Sequence, residues 1–363
     1  MTDPQIHLEG ILDAATARRL VATLDPVHSP ALDFDAVQDI HFGALRVLMN
    51  ARREGLRFSI INASDAVVGR FTDTGVSAYI DVCRKPRPLD LSRYEEFGAS
   101  FLSKAYNSKD GDAMLKVYGS NVSKIAVARE KAVARAVMLF GLPTPLVGTL
   151  YESEGRTALD YERIEGKRSF SRVIAEEPER LEEMSRRFAR MCRQLHQTPC
   201  DTALFRDSRA VHRQAVLDCP GLDEAARAAF LRFVDSIPAA TTCLHGDMQM
   251  SNVITTGEED LWIDLGDFGY GEPKLDIAMW YFLTKLNTEE FAQHLFHLGL
   301  ADLARVWDYF VEEYADARSP EEKRAFEQAV VPYAALHMIY IGVEYGFQPG
   351  MLDAARGMIM KLF

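Results

Sequence analysis

One short string limits what this chain can fold into. The second half reads as helix after helix, except that residues 241–264 read as loop, strand, turn and strand. The interruption opens with His245-Gly246-Asp247-Met248-Gln249-Met250-Ser251-Asn252 and leads into Ile263-Asp264-Leu265-Gly266-Asp267. Val253–Thr256 and Leu261–Ile263 pair as a hairpin around Gly257-Glu258-Glu259-Asp260, which brings Asn252 and Asp264 to the same end. Any one of these residues alone reads as a turn cap. Turn capping does not account for the complete string. Its pattern fits phosphoryl transfer, which needs a carboxylate to position an acceptor hydroxyl and hard oxygen ligands for Mg²⁺ on the phosphates. Asp247 is the candidate catalytic acid/base; Asn252 and Asp264 are the candidate metal ligands.

The rest of the chain divides around that string. Residues 1–82 alternate short apolar strands (Ile6–Leu12, Ala31–Phe34, Phe58–Asn62) with helical spacings (Ala14–Leu24, Ala44–Arg53, Ala66–Thr72), which predicts a small α/β domain. Residues 83–93 hold Pro86 and Pro88 among few large apolar residues and have the composition of a linker. Residues 94–163 are strand-rich. There, Phe101–Asn107 and Ala113–Tyr118 flank the turn Ser108-Lys109-Asp110-Gly111, and a helix runs from a Ser123 cap to Phe140, where Gly141 and Pro143 stop it. Residues 164–363 are mainly helical, with Leu181, Met184, Phe188, Met191 and Leu195 in one stripe.

Charge and composition remove several classes. The formal net charge is −12, and the first 90 residues, with 12 acids and 10 bases, contribute little of it. An acidic surface argues against nucleic acid or an anionic membrane as partner, and favours a cationic substrate only weakly, since solvated surface charge accounts for it as well. The five cysteines show no C-x-x-C spacing, so neither a zinc site nor a disulfide framework is expected. The longest apolar stretch, Val330–Val343, is broken by His337 and is too short for a membrane span. With no basic-then-apolar pattern in Met1–Gly10, a reducing cytoplasm is the default compartment.

A phosphotransferase of this kind needs a strand lysine for the phosphates and a helix glutamate to hold it. Lys116, in Ala113-Met114-Leu115-Lys116-Val117-Tyr118, and Glu130 on the next helix fill those places. Ala126, Glu130, Val133 and Val137 are expected to share one helix face, and a glutamate on an apolar stripe calls for a cationic partner. Phe97-Gly98-Ala99-Ser100-Phe101 is the candidate phosphate-covering loop, with Ser100 on the nucleotide. Ala158–Arg163 is the candidate strand and hinge for adenine, with backbone groups from Tyr161 to Arg163 as its partners.

Residues 94–363 resemble the aminoglycoside phosphotransferase/choline kinase family, which shares the protein-kinase fold. The resemblance rests on His245-Gly246-Asp247 with Asn252, and on Ile263-Asp264-Leu265-Gly266-Asp267 running through Gly271-Glu272-Pro273 to Asp276-Ile277-Ala278. Glu272 stands where the family usually has aspartate, and Met250 where a small residue or proline is common. The resemblance implies a bilobal protein-kinase-like domain, with an N-lobe over 94–163 and a C-lobe over 164–363. It also implies ATP and Mg²⁺ as cofactors, structural roles for His196 and His245, and Asp276 as a support for the catalytic-loop backbone. The acceptor is a small-molecule hydroxyl; aminoglycoside, choline-like amine, amino alcohol and sugar all stay open. The competing function is a nucleotide-sensing regulatory or partner-binding protein without turnover.

Residues 1–82 resemble STAS domains, the fold of anti-sigma-factor antagonists, on Leu8-Glu9-Gly10-Ile11-Leu12-Asp13-Ala14, Val37–Leu45 and Asp73-Thr74-Gly75-Val76. Gly43 replaces the phosphorylatable serine and His41 the aspartate, so the usual switch has no hydroxyl here. The expected fold is therefore α/β and α+β, a STAS-like domain followed by the kinase-like one. The remaining use of the first domain is packing, against its own kinase domain, a protein partner or a second copy.

Overall fold

A computed structural model describes residues 5–24, 30–99, 103–202 and 204–362. The chain forms two compact units, Met1–Ile164 and Glu165–Phe363.

The first unit begins with strands β1 (Gln5–Leu12), β2 (Ala31–Ile40), β3 (Ser59–Ala63) and β4 (Val82–Arg84), alternating with helices α1 (Ala14–Thr23), α2 (Phe42–Arg53) and α3 (Asp65–Asp73). Asp13 caps α1 by accepting from the Thr16 amide at 2.8 Å, and Ser64 caps α3. β2 runs well past the expected end at Phe34, because Val37 and Ile40 continue its buried side. α2 starts at Phe42, and a Cβ on Gly43 would press on Ala14 of α1 at 3.0 Å, so a small residue is needed where the two helices meet.

All four strands are parallel and lie in the order β1-β2-β3-β4, which is chain order. Crossovers of one hand that always step in the same direction put every helix on the same face. One core accordingly joins Ala17 and Leu20, Leu45 and Leu48, Val67 and Phe71 from the three helices to Leu32, Phe34 and Ile60 of the sheet. The opposite face carries Ala31, Ile61 and Cys83 and receives no helix from its own repeat. It is covered by the second sheet's layer, through Tyr118, Val127, Ala128, Leu150 and Leu159.

That second sheet contains β5 (Arg87–Pro88), β6 (Tyr94–Ala99), β7 (Ser103–Ser108), β8 (Ala113–Tyr118), β9 (Val147–Ser153) and β10 (Arg156–Glu162), in the order β5-β9-β10-β8-β7-β6. Helix α4 (Lys124–Leu139), capped by Ser123, connects β8 to β9. Residues 83–93, expected as a linker, instead complete the first sheet with β4 and open the second with β5, which pairs with β9. Pro88 is tolerated because β5 is an edge strand, where one missing N–H leaves no broken ladder.

The second unit is built on helix α6. In chain order it contains β11 (Arg168–Ser169), α5 (Phe170–Glu176), α6 (Leu181–Gln197), β12 (Arg206–Asp207), α7 (Ser208–Asp218) and α8 (Glu224–Ser236). These are followed by β13 (Thr242–Leu244), β14 (Val253–Thr255), β15 (Asp260–Trp262), β16 (Gly269–Gly271), α9 (Lys274–Lys285), α10 (Glu289–Phe296), α11 (Leu300–Ala315), α12 (Pro320–Tyr345) and α13 (Met351–Ile359). The stripe Leu181, Met184, Phe188, Met191 and Leu195 is buried throughout. Phe188 meets Trp262 of the hairpin, Trp280 of α9 and Phe310 of α11, with ring centroids 6.0, 5.1 and 5.8 Å away. Contacts at these separations add about 0.5–1.5 kcal/mol each beyond area burial. No helix among the described residues is long and apolar enough to cross a membrane.

The strand pairing of residues 83–93 makes Arg84, Lys85 and Arg87 poor protease sites. Trypsin is expected to leave the chain intact under native conditions, with cleavage there no faster than unfolding of the first unit. Early cuts at these residues releasing a stable fragment near residue 85 would contradict the pairing of β4 and β5 with their sheets.

Candidate active site

The loop His245–Gln249 leaves β13 and is fixed by one buried carboxylate. Asp276, on the first turn of α9, accepts from the His245 amide at 2.6 Å (Oδ2) and from the Gly246 amide at 2.9 Å (Oδ1). His196 of α6 donates its Nε2–H to Asp276 Oδ2 at 3.1 Å, and its Nδ1 accepts from the Tyr314 hydroxyl at 2.7 Å. Burial alone would raise the Asp276 carboxyl; the His196 hydrogen bond, the electrostatic influence of His196 and His245, and the Gly246 amide together more than offset it and hold the group below its ordinary value. Asp276 thus binds the loop backbone and His196 binds Asp276, the position that the resemblance gave to a support of this loop. Gly246 has φ +82°, and a Cβ there would collide with the backbone of Asp267, so only glycine fits.

His245 ties the loop to the hairpin. Its Nε2–H donates to the Ile263 carbonyl at 3.1 Å, while its Nδ1 accepts from the Asp247 amide at 3.3 Å. The Ile263 amide donates to the Asn252 carbonyl at 3.0 Å, closing the hairpin at the end where Asn252 and Asp264 stand. Asn252 turns its Nδ2 toward Asp247 and donates to the backbone oxygen at 2.9 Å and to Oδ2 at 2.7 Å. Gln249 donates to both Asp247 oxygens, at 3.1 and 3.2 Å. Sequence reasoning singled out Asp247 and Asn252 but passed over Gln249, whose spacing of two residues from Asp247 was the available signal. Burial, with the nearby charges of Asp264 and Asp267, pushes the Asp247 carboxyl up to about 6. Asp264 is exposed and lies in the left-handed backbone region, φ 61°, which costs a non-glycine residue roughly 1 kcal/mol and marks a constrained position. Asp267 pairs with Arg206 of β12.

In the first unit, Lys116 Nζ donates to Glu130 Oε1 at 2.9 Å, and both side chains are largely buried. The Tyr161 hydroxyl donates to the same oxygen at 2.7 Å. The Lys116 ammonium also lies 5.2 Å from the centroid of the Tyr118 ring. Tyr161, expected to offer its backbone to adenine, also engages Glu130 through its side chain. The Arg163 amide donates to the Asp112 carbonyl at 2.8 Å and the Glu162 amide to the Leu146 carbonyl, so both are used inside the lobe. Glu130 shares the α4 face of Val127, Ala134 and Val137; Ala126, expected on that face, is exposed. Ser100 and Phe101 of the expected phosphate loop lie outside the described residues.

Replacing Asp276 by Asn puts an amide where two backbone N–H groups and an imidazole converge. Asp276→Asn is expected to destabilise the chain by roughly 3 kcal/mol, because it breaks a buried, fully hydrogen-bonded charge site. The native value is depressed, so the Asp276 contribution is complete above the ordinary carboxylate range and disappears as pH falls through and below it. Denaturant unfolding between pH 3 and 7 tests both points. A variant as stable as the parent, with an unchanged acid slope, contradicts the role given to this carboxylate.

Comparison with known proteins concerns the stretch of chain that contains these residues. The phosphotransferase enzyme family model, APH, matches residues 95–329, about two-thirds of the chain. No curated protein matches. Among solved structures, aminoglycoside phosphotransferase APH(4)-Ia is 17% identical, with 75% of this chain and 93% of that chain covered and a TM-score of 0.49. A choline/ethanolamine kinase family protein from Mesorhizobium loti is 17% identical over 74% of this chain and 86% of that one, with a TM-score of 0.46. Aminoglycoside phosphotransferase APH(3'')-Id from Streptomyces rimosus is 18% identical over 69% and 91%, with a TM-score of 0.45. On the match over residues 95–329, the chain belongs to the APH phosphotransferase enzyme family.

Proposed function

We propose that the chain transfers the γ-phosphoryl group of ATP, with Mg²⁺, to a hydroxyl of a small molecule, in the class of aminoglycosides, choline-like amines, amino alcohols and sugars. The observation that carries this reading is the Asp247–Asn252 pair on a loop locked by Asp276. Asn252 spends its N–H groups on Asp247, which leaves its Oδ1 as the end that offers a lone pair to a cation. With the Asp264 carboxylate at the same hairpin end, the donor set is all oxygen and suits Mg²⁺. The ion supplies charge neutralisation on the phosphates when bound. Structures of APH(4)-Ia hold AMP-PNP or ADP together with hygromycin B, which supports ATP as donor and a small hydroxylated acceptor.

Each remaining residue has a defined task in this proposal. Asp247, raised to about 6, is a better proton acceptor than an ordinary aspartate and is still largely ionised at pH 7, so it orients the acceptor hydroxyl and takes its proton. Lys116, kept in place by Glu130, holds nucleotide phosphates. For residues 1–82 the STAS-like reading is supported by the Asp13-capped turn after β1 and by Gly75 at φ 72° in the Thr74-Gly75 turn.

A nucleotide-turnover assay against a panel of small hydroxylated amines and sugars tests the activity. With an accepted substrate, Asp247→Ala is expected to lower the transfer rate by about 10²–10⁴-fold while nucleotide binding stays near that of the parent. Near-parental turnover would remove Asp247 from the chemistry. Asp264→Asn is expected to weaken binding of the Mg²⁺–nucleotide complex and to flatten its metal dependence, as read by calorimetry; unchanged affinity and metal dependence would move the metal site elsewhere.

A further inference from the structure

The face of the first sheet that its own helices leave uncovered rests on the helix that carries Glu130. We propose that this face is the positioning surface for the Lys116–Glu130 pair, so that residues 1–84 set the affinity for nucleotide without touching it. The proposal rests on the reading of that pair as the phosphate-binding one.

Three contacts carry it. Ala31, Ile61 and Cys83 form one buried apolar cluster with Val127 and Ala128 of α4, with Tyr118 of β8 and with Leu150 and Leu159. Val127 lies one turn before Glu130 on the same side of α4. A shift of the sheet face that moves Val127 therefore moves the carboxylate. The second contact is Tyr118, whose ring belongs to the same cluster and also faces the Lys116 ammonium at 5.2 Å. A single apolar cluster thus supports both members of the ion pair, and Tyr161, packed against the same cluster, closes the arrangement by donating to Glu130. The third contact is polar. Asp81, at the turn before β4, faces Arg135 of α4 at 3.9 Å with Lys131 nearby; burial raises its carboxyl, and these two cations oppose the rise.

The topology explains why the surface is available. Strands in chain order put α1, α2 and α3 on one side, so the other side is an apolar sheet face that must be covered. The residues covering it belong to the layer that holds Lys116 and Glu130, and interior packing transmits small displacements because it has little free volume. Helix α4 is then held from two sides, by the first sheet through β3 and by its own sheet through β9 and β10.

The test compares two cavities in one sheet. Ile61→Ala removes packing on the α4 side; Leu48→Ala removes packing on the opposite side, in the core of α1, α2 and α3. Both are measured in the full chain, well below their melting temperatures, for binding of a non-hydrolysable ATP analogue with Mg²⁺ by calorimetry. Ile61→Ala is expected to weaken binding by about fivefold or more, the range of a working coupling between sites, while Leu48→Ala, which also lowers stability, leaves binding unchanged. In a Glu130→Gln background the Ile61→Ala effect is expected to disappear. Equal binding by Ile61→Ala and the parent, or an equal loss in both cavity variants, overturns the proposal. If Ile61→Ala does not fold, Asp81→Asn, which opens no cavity, is read against the same scale. Lys116→Ala separates the two levels: unchanged binding there removes the phosphate-binding reading and this proposal together, whereas a loss there with none in Ile61→Ala removes this proposal alone.

Discussion

The loop that carries Asp247 depends on one buried carboxylate. Asp276 receives the amides of His245 and Gly246 and the imidazole of His196, and so fixes two consecutive peptide groups of the loop from behind. Two amides bound to one carboxylate define the loop's path, and the positive φ of Gly246 follows from that path. His245 is then aimed at Ile263, which sets the hairpin, and the hairpin sets Asn252 against Asp247. Each step needs the one before it. Tyr314 extends the chain outward by fixing the tautomer of His196: a hydroxyl donating to Nδ1 leaves the ring proton on Nε2, where Asp276 needs it.

The Lys116–Glu130 pair has a different kind of support. Lys116 and Glu130 are joined by a direct ion pair, but the surroundings of that pair are apolar and long-range. A buried pair is costly to desolvate, and only good geometry and added hydrogen bonds offset that cost. Tyr161 supplies the added hydrogen bond, and Tyr118 supplies a ring face for the ammonium. The first sheet takes part because its strand order leaves one face without helices. The same monotonic order that makes residues 1–82 simple to thread makes them incomplete alone, and the completion comes from α4 and the second sheet.

Local pattern carried a large share of this organisation. The α6 stripe was legible because five apolar residues at helical spacing have one way to be buried together, and all five are. The hairpin between Asn252 and Asp264 was legible from two short apolar runs around a polar turn. Lys116 and Glu130 were legible because an acid on an apolar helix face needs a cation. What escaped depends on partners far away in the chain. The Tyr161 side chain reaches Glu130 across 31 residues, and nothing in Ala158–Arg163 distinguishes that use from a backbone role. Residues 83–93 look like a linker because prolines and charges suit edge strands as well as linkers, and only the neighbours β3 and β9 decide between them. Asp35 and Gln38 are polar because that side of β2 is exposed, which hid the strand beyond Phe34.

The hydrogen bonds to Asp247 bear on how an acceptor approaches it. A carboxylate offers about four lone-pair sites, two on each oxygen. Gln249 takes one on each oxygen, and Asn252 takes a second on Oδ2. In the proposed reaction the acceptor hydroxyl therefore meets Oδ1, the oxygen not shared with Asn252. This division keeps the two tasks of the loop on separate atoms. Oδ2 accepts from the Asn252 carboxamide, whose oxygen is the end proposed for the cation, and Oδ1 is the oxygen proposed for the hydroxyl. In that reading neither contact displaces the other: Asp247 fixes Asn252 through one oxygen and leaves the other for the acceptor, with its rotamer set by both amide side chains. The raised value of about 6 is consistent with that arrangement, since burial and the carboxylates of Asp264 and Asp267 outweigh the lowering by His245 and by the Asn252 hydrogen bond.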